Sequence, residues 1–317
     1  MTGESSSVVV IATGGTIASR RVDDGPSRPV VSGGGLLAGV EPGAPVRVVD
    51  VMAQDSATLT LSHMQRISDA VGEVLAEPET RGVVVLHGTD SLEETALLLA
   101  LQHGHADRRI VVTGAQFTAD HPDSDGPANI EAAIRFAAAE GPAGRPARRS
   151  AGDAVVVLFG GRLLSPWGAY KFSADSTDAF RSAGPAGATA PRETSRVDGV
   201  RIDIVALPPG ADALHIRASA AAGADGIVLQ ALGSGNSTAA VVAAVRECVA
   251  EGIPVVVSSR VPQGALAPSY GGGGGGSDLR EAGAVHSTTL RPGQARILLA
   301  ALVARRATSA ELWAAFG

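Results

Sequence analysis

Two threonines on glycine-bearing turns and a solitary lysine are the residues whose types and spacing could do chemistry. Thr13-Gly14-Gly15-Thr16-Ile17-Ala18-Ser19 follows the apolar run Val8-Val9-Val10-Ile11-Ala12. His87-Gly88-Thr89-Asp90-Ser91-Leu92-Glu93-Glu94-Thr95 closes the apolar run that begins at Gly82. Glycine beside each threonine permits backbone angles closed to other residues and lets a ligand come close. Of the 26 basic residues, Lys171 is the single lysine and the rest are arginine. A general preference for arginine could leave one such remnant. An amine, however, can give up its proton and act as a base, whereas a guanidinium stays charged. Taken singly, each threonine turn also fits ordinary turn and capping chemistry. Two such turns on one sheet edge, with the only lysine after a third strand, weaken that plainer reading.

Bringing these segments together requires a scaffold, and the hydrophobic pattern predicts one. Val8–Ala12, Gly82–His87, Ile110–Thr113 and Ala154–Phe159 read as buried strands. Between them, Leu61, Met64, Ile67, Val71, Val74 and Leu75 recur at helical spacing over 60–75. Ser91-Leu92-Glu93-Glu94 is a capping-box pattern opening a helix to His103, and 128–140 reads as another helix. Strands alternating with helices imply a parallel sheet covered on both faces, with ligands at the carboxyl ends of the strands. The loops after Ala12, His87, Thr113 and Phe159 are therefore the informative ones. The stretch from Ser182 to Pro191, rich in small residues and proline, reads as a linker. Beyond it strands are expected at 202–207, 226–230 and 254–258, and helices at 211–222, 237–250 and 292–304, the last being final. The expected organisation is α/β. A larger N-terminal doubly wound, mostly parallel sheet domain (1–181) is followed by a linker (182–200) and a smaller C-terminal α/β domain (201–317).

Composition narrows the function. At roughly 100–200 residues per domain, 317 residues suit two domains. The chain is 45% hydrophobic and 18% charged, enough for a buried core. A net charge of -6 and 3% aromatic residues argue against nucleic-acid binding. Cys248 stands alone, which excludes an intrachain disulfide and a Cys-rich metal site. No apolar stretch approaches the ~20 residues of a spanning helix, and no basic leader pattern is present, so no membrane partner and a cytoplasmic location are expected.

The motifs Thr13-Gly-Gly-Thr-Ile-Ala, His87-Gly-Thr-Asp-Ser-Leu-Glu-Glu-Thr, Asp125-Gly-Pro and Ser258-Ser-Arg-Val-Pro-Gln-Gly264 resemble, in order along nearly the whole chain, the bacterial type I/II L-asparaginases. That resemblance implies hydrolysis of L-asparagine to L-aspartate and ammonia without metal or organic cofactor. It implies Thr13 as nucleophile, forming a β-aspartyl ester, with Thr89, Asp90 and Lys171 as a second catalytic cluster. A threonine hydroxyl attacks poorly until a base removes its proton, and a nearby lysine amine can accept or relay it. Amides of the turns holding Gly14 and Gly88 could stabilise an oxyanion. Asp90 would also hold the substrate α-ammonium, and Gln54-Asp55 matches a substrate-binding loop. Asn236, in Gly233-Ser-Gly-Asn236, matches a residue that reaches a neighbouring subunit's site, which implies a homodimer or homotetramer with shared active sites.

Three departures accompany the resemblance. Ala53 replaces a usual serine, the stretch from Arg20 to Pro29 lacks the lid tyrosine, and no glutamate counterpart is found near Tyr270. They leave the preference between asparagine and glutamine open, so a glutaminase-asparaginase or another small-amide hydrolase stands as the alternative. A non-catalytic amino-acid binder is a further rival. A nucleotide-binding protein is another, although the chain lacks G-x-x-x-x-G-K-[ST] and G-x-G-x-x-G. Among other residues, His87 reads as a buried structural histidine, His103 and His105 as solvated surface, and Cys248 as core. Arg145, Arg148 and Arg149 read as a solvated loop. The run Gly271–Gly276 reads as a mobile loop, since no Lys-Ser/Thr follows it to make a phosphate cradle.

Overall fold

A computed structural model describes residues 6–21, 25, 27–139, 154–185 and 188–317. In chain order its elements begin with β1 (Ser7–Gly14), β2 (Ser19–Arg21), β3 (Ser27–Pro29), α1 (Gly33–Leu36), β4 (Val46–Gln54), α2 (Leu61–Ala76), β5 (Thr80–Leu86) and α3 (Leu92–His103). Then come β6 (Ile110–Thr113), α4 (Gly126–Ala138), β7 (Val155–Phe159), β8 (Arg162–Leu164), β9 (Ala169–Lys171) and β10 (Phe180–Ser182). The remainder holds β11 (Ile202–Ala206), α5 (Leu214–Ala221), β12 (Gly226–Ala231), α6 (Ala239–Ala250), β13 (Val255–Ser259), α7 (Gly276–Glu281), β14 (Val285–His286), α8 (Pro292–Ala304) and α9 (Ser309–Phe316). The chain divides into two compact units, one within Met1–Arg181 and Gly187–Arg192, the other within Ser182–Ala186 and Glu193–Gly317.

The first unit is built on a sheet ordered β4-β1-β5-β6-β7-β8. Its strands run parallel except at β8, which turns back antiparallel on β7. β1, β5, β6 and β7 are runs of valine and isoleucine, and Val8–Ile11, Val83–Leu86 and Ile110–Val112 are fully buried. β-branched side chains suit a pleated strand, and burial on both faces explains why these runs are continuous rather than alternating. On α2 the apolar stripe Leu61, Met64, Ile67, Val71 and Val74 is buried. Thr60 and His63 close its first turn by exchanging side-chain and main-chain hydrogen bonds. α3 is apolar nearly all round, with Leu92 and Ala96–Leu101 buried, as befits an inner helix.

The order of strands locates the site. From β1 the chain moves outward to β4, then returns to β5 and continues to β6 and β7. The winding direction therefore reverses between β1 and β5, and connections leave their carboxyl ends in opposite directions. Ala12 pairs with Leu86, so the Thr13 and His87 turns leave the sheet side by side.

The second unit carries a parallel sheet ordered β11-β12-β13-β14. One core packs Leu207, Ile216, Ile227, Leu229, Val241, Val245, Cys248, Val257 and Leu279. Cys248 is buried there, as read from sequence. Two readings need correction. α8 is not the final helix, because α9 follows, opened by Thr308 and Glu311 hydrogen-bonding each other's main-chain N–H. The glycine run is a pinned turn rather than an open mobile loop. Asp278 Oδ2 accepts from Gly273 and Gly275 N–H at 2.8 Å each, and Gly276 begins α7. Among the described residues no helix is long and apolar enough to cross a membrane.

Candidate active site

Three backbone turns interlock at the reversal point. Gly15 N–H donates to Gln54 O at 2.9 Å, tying the end of β1 to the end of β4. Gly15 has φ 79° and ψ -171°, a combination nearly exclusive to glycine. A Cβ there would stand 2.2 Å from Gly88 Cα, so the Thr13 and Thr89 turns touch main chain to main chain. Gly88 in turn lies against Ser56, whose Oγ would be 2.5 Å from an added Cβ. Ser56 Oγ accepts from Asp90 N–H at 3.1 Å, and Ser56 O accepts from Ser91 Oγ at 2.8 Å. Sequence reasoning missed this buried serine, although it directly follows Gln54-Asp55.

Thr13 is 2% exposed, and its hydroxyl donates to Leu86 O at 2.8 Å. Thr89 is 4% exposed. Lys171 crosses from β9 to meet it, with Nζ 2.8 Å from Thr89 Oγ1 and 2.7 Å from Asp90 Oδ1. The lysine side chain is 20% exposed and the Asp90 side chain 55%, so the hydroxyl lies on the inner side of the amine and the carboxylate on the outer. β9 pairs with β10, and just past β9 Phe172 N–H donates to Ala179 O while Gln116 Nε2 donates to Ala174 O. Gln116 is itself aligned by Asp125, whose carboxylate accepts from the Gln116 and Phe117 N–H groups and from Asn129 Nδ2. The Asp125-Gly-Pro motif thus organises the loop after β6.

Glu93, on the first turn of α3, reaches the Lys171 main chain, its Oε1 3.4 Å from that N–H. Burial pushes the Glu93 carboxyl up to about 8. Ser91 precedes α3, but its hydroxyl goes to Ser56 O and makes no cap hydrogen bond, so the expected capping box does not form. His87 is fully buried between Gly88 O (2.8 Å) and Thr95 Oγ1 (2.9 Å), and burial lowers it to about 4. Its structural reading matches. His103 does not match its reading as solvated surface. It is half-buried, 2.9 Å from Ser68 Oγ, and burial lowers its proton affinity, while His105 is exposed.

Gln54 flanks Gly14, where a Cβ would lie 2.4 Å from Gln54 N. Asp55 is exposed and uses Oδ1 to hold Ala57 N–H at 3.0 Å. A cavity of ≈ 300 Å³ opens beside this edge, lined by Ala12, Gly14, Val31, Asp50 and Ala53 among others. A larger one, ≈ 780 Å³, follows the open edge of β11 and contains none of the expected site residues. In the second unit Asn236 Oδ1 accepts from Gly276 N–H at 3.3 Å, joining its turn to the glycine run. Part of the expected lid (22–24 and 26) and the three arginines Arg145, Arg148 and Arg149 lie outside the described residues.

The family model "Asparaginase, N-terminal" matches residues 7–198, and "Glutaminase/Asparaginase C-terminal domain" matches 201–316. The chain belongs to the asparaginase family. A probable L-asparaginase of Deinococcus radiodurans is 32% identical over 93% of this chain and 92% of its own length. The glutaminase-asparaginase of Pseudomonas aeruginosa is 28% identical over 97% and 89%. In fold, the thermostable L-asparaginase of Thermococcus kodakarensis superposes with a TM-score of 0.80, at 24% identity over 98% of this chain and 96% of its own. A probable cytoplasmic L-asparaginase of Campylobacter jejuni gives 0.84, at 23% identity over 98% and 99%. The asparaginase fold thus extends over both units of the chain.

Proposed function

We propose that this asparaginase-family protein hydrolyses L-asparagine to L-aspartate and ammonia in the cytoplasm. Thr13 forms the ester, and Thr89, Asp90 and Lys171 handle the protons. The observation that carries this reading is the contact of a lysine amine with a buried threonine hydroxyl and a carboxylate, one turn from a second buried threonine.

Thr13 Oγ1 attacks the side-chain amide carbon, turning its hydroxyl away from Leu86 O as it does so. The C–O bond forms, the carbonyl electrons move to oxygen, and main-chain N–H groups of the glycine turns stabilise that oxyanion. The Thr13 proton passes through Thr89 to the Lys171 amine. Collapse breaks the C–N bond, and the proton returned from Lys171 leaves with ammonia. Water then attacks the ester, its proton following the same relay until Thr13 regains its hydrogen and aspartate departs. Asp90 holds the amine on one side and offers its outer oxygen to the substrate α-ammonium. Gln54 faces the same substrate end. Asn236 completes the site of a neighbouring subunit, so the working unit is a homodimer or homotetramer.

A second reading exchanges the threonines, with Thr89 attacking first. The amine at 2.8 Å from Thr89 and the carbonyl engagement of Thr13 favour it. Both readings are tested by ammonia release from L-asparagine, L-glutamine and D-asparagine, followed by acid quench and peptide mapping of the ester. Ester on the Thr13 peptide, with none in Thr13→Ala, is expected. Ester on the Thr89 peptide would replace the first assignment by the second, and no ammonia from any amide would reject both. One methylene separates asparagine from glutamine and changes binding by only about 1–3 kcal/mol, so both substrates belong in the assay.

A further inference from the structure

Lys171 is attached to the Thr89 turn twice. Its amine meets Thr89 and Asp90, and its main-chain N–H faces Glu93 Oε1 at 3.4 Å. The second attachment spans 78 positions in sequence and uses a carboxyl that the proton relay leaves idle. α3, which carries Glu93, packs against α2, β6, β7 and β9. β6 and β7 bring no ionisable side chain. α2 meets the distal end of α3, through Gln65 and Ser68 on Gln102 and His103. The charged groups acting on Glu93 are Glu94 beside it and Lys171 on β9.

We infer that Glu93 is a positioning residue for the lysine: its carboxyl ties β9 to α3 and so fixes where the Lys171 amine meets Thr89 and Asp90. This rests on the reading of Lys171 as proton carrier. While neutral, the Glu93 carboxyl accepts the main-chain N–H without adding charge near the amine. Once ionised, it holds that N–H as a charged acceptor, which shortens and strengthens the tie. Burial, opposed chiefly by main-chain hydrogen bonding, brings that change to about pH 8, inside the range where an enzyme works.

The sequence supplies its own probe. Because it holds one lysine, ¹⁵N-lysine labelling gives one main-chain amide signal, that of Lys171. In the wild type this signal should step with a midpoint near pH 8. In Glu93→Gln, which keeps an acceptor oxygen but cannot ionise, the step should vanish. The kcat profile should lose its inflection at the same pH, while KM stays within about threefold. A wild-type signal without the step, or a step that survives in Glu93→Gln, overturns the inference. The wild-type titration needs no variant to fold. If the protein releases no ammonia from asparagine yet the step is present and lost in Glu93→Gln, the tie stands and the catalytic reading falls. An active enzyme with a flat signal defeats the tie alone.

Discussion

Replacing Lys171 by arginine separates charge from titration. Arginine can keep a cation near Asp90, but its guanidinium does not deprotonate in proteins and cannot cycle a proton through Thr89. Loss of one positioned acid–base group costs about 10²–10⁴ in rate, or about 3–5 kcal/mol at 1.36 kcal/mol per tenfold. Stability should respond far less. Asp90 is 55% exposed and Lys171 20%, so solvent screens the pair and its contribution lies at about 0–1 kcal/mol. For a unit of this size that moves Tm by about 2–4 °C at most. Initial rates of ammonia release at saturating asparagine, beside a thermal melt of the same sample, give both numbers. Lys171→Met, which drops the charge too, should match Lys171→Arg in rate. Turnover in Lys171→Arg within about tenfold of wild type would refute the proton relay. A collapse of Tm with the rate would show that the loss is structural.

Other expectations are as direct. Gly15→Ala combines a glycine-only backbone angle with a Cβ 2.2 Å from Gly88 Cα, so urea unfolding should show a loss of about 2–5 kcal/mol. Gly39→Ala, at φ 84° with open space around it, should lose only the strain of about 1–2 kcal/mol, and equal losses at the two sites would refute the collision. Burial lowers His87 and His286 to about 4 from 6.5. Below 6.5 the unfolded chain takes up protons that the native histidines refuse. Their stabilisation is therefore complete above 6.5 and lost as pH falls through the window to 4, at up to about 1.4 kcal/mol per unit for each histidine. His286 finds no hydrogen-bond partner for either ring nitrogen among the described residues. His286→Leu should therefore flatten the acid limb of the urea midpoint, and an unchanged slope would contradict the assignment.

The fold was most readable where both faces of a strand are buried. β1, β5, β6 and β7 are unbroken apolar runs, and the two threonine turns follow from their ends. β4 escaped because Val46–Gln54 is a half-buried edge strand whose arginine, aspartate and glutamine interrupt the pattern. β8, β9, β10 and α7 are too short for periodicity to register, yet β9 is what delivers Lys171. The lysine stood out by composition, Thr89 and Asp90 by their turn. Nothing local marks Ser56 or Glu93 as partners of that cluster, because their contacts span 34 and 78 positions. The missed capping box has the same origin, since a distant carbonyl outbid the nearby amide for the Ser91 hydroxyl.

The main-chain contact between Gly15 and Gly88 leaves no side chain between the two threonine turns that could be enlarged, trimmed or rotated. The threonines on either side therefore behave as one rigid block whose internal spacing mutation can destroy but hardly retune. Freedom to change size lies instead in the neighbouring cavity, whose lining includes the side chains of Ala53 and Val31.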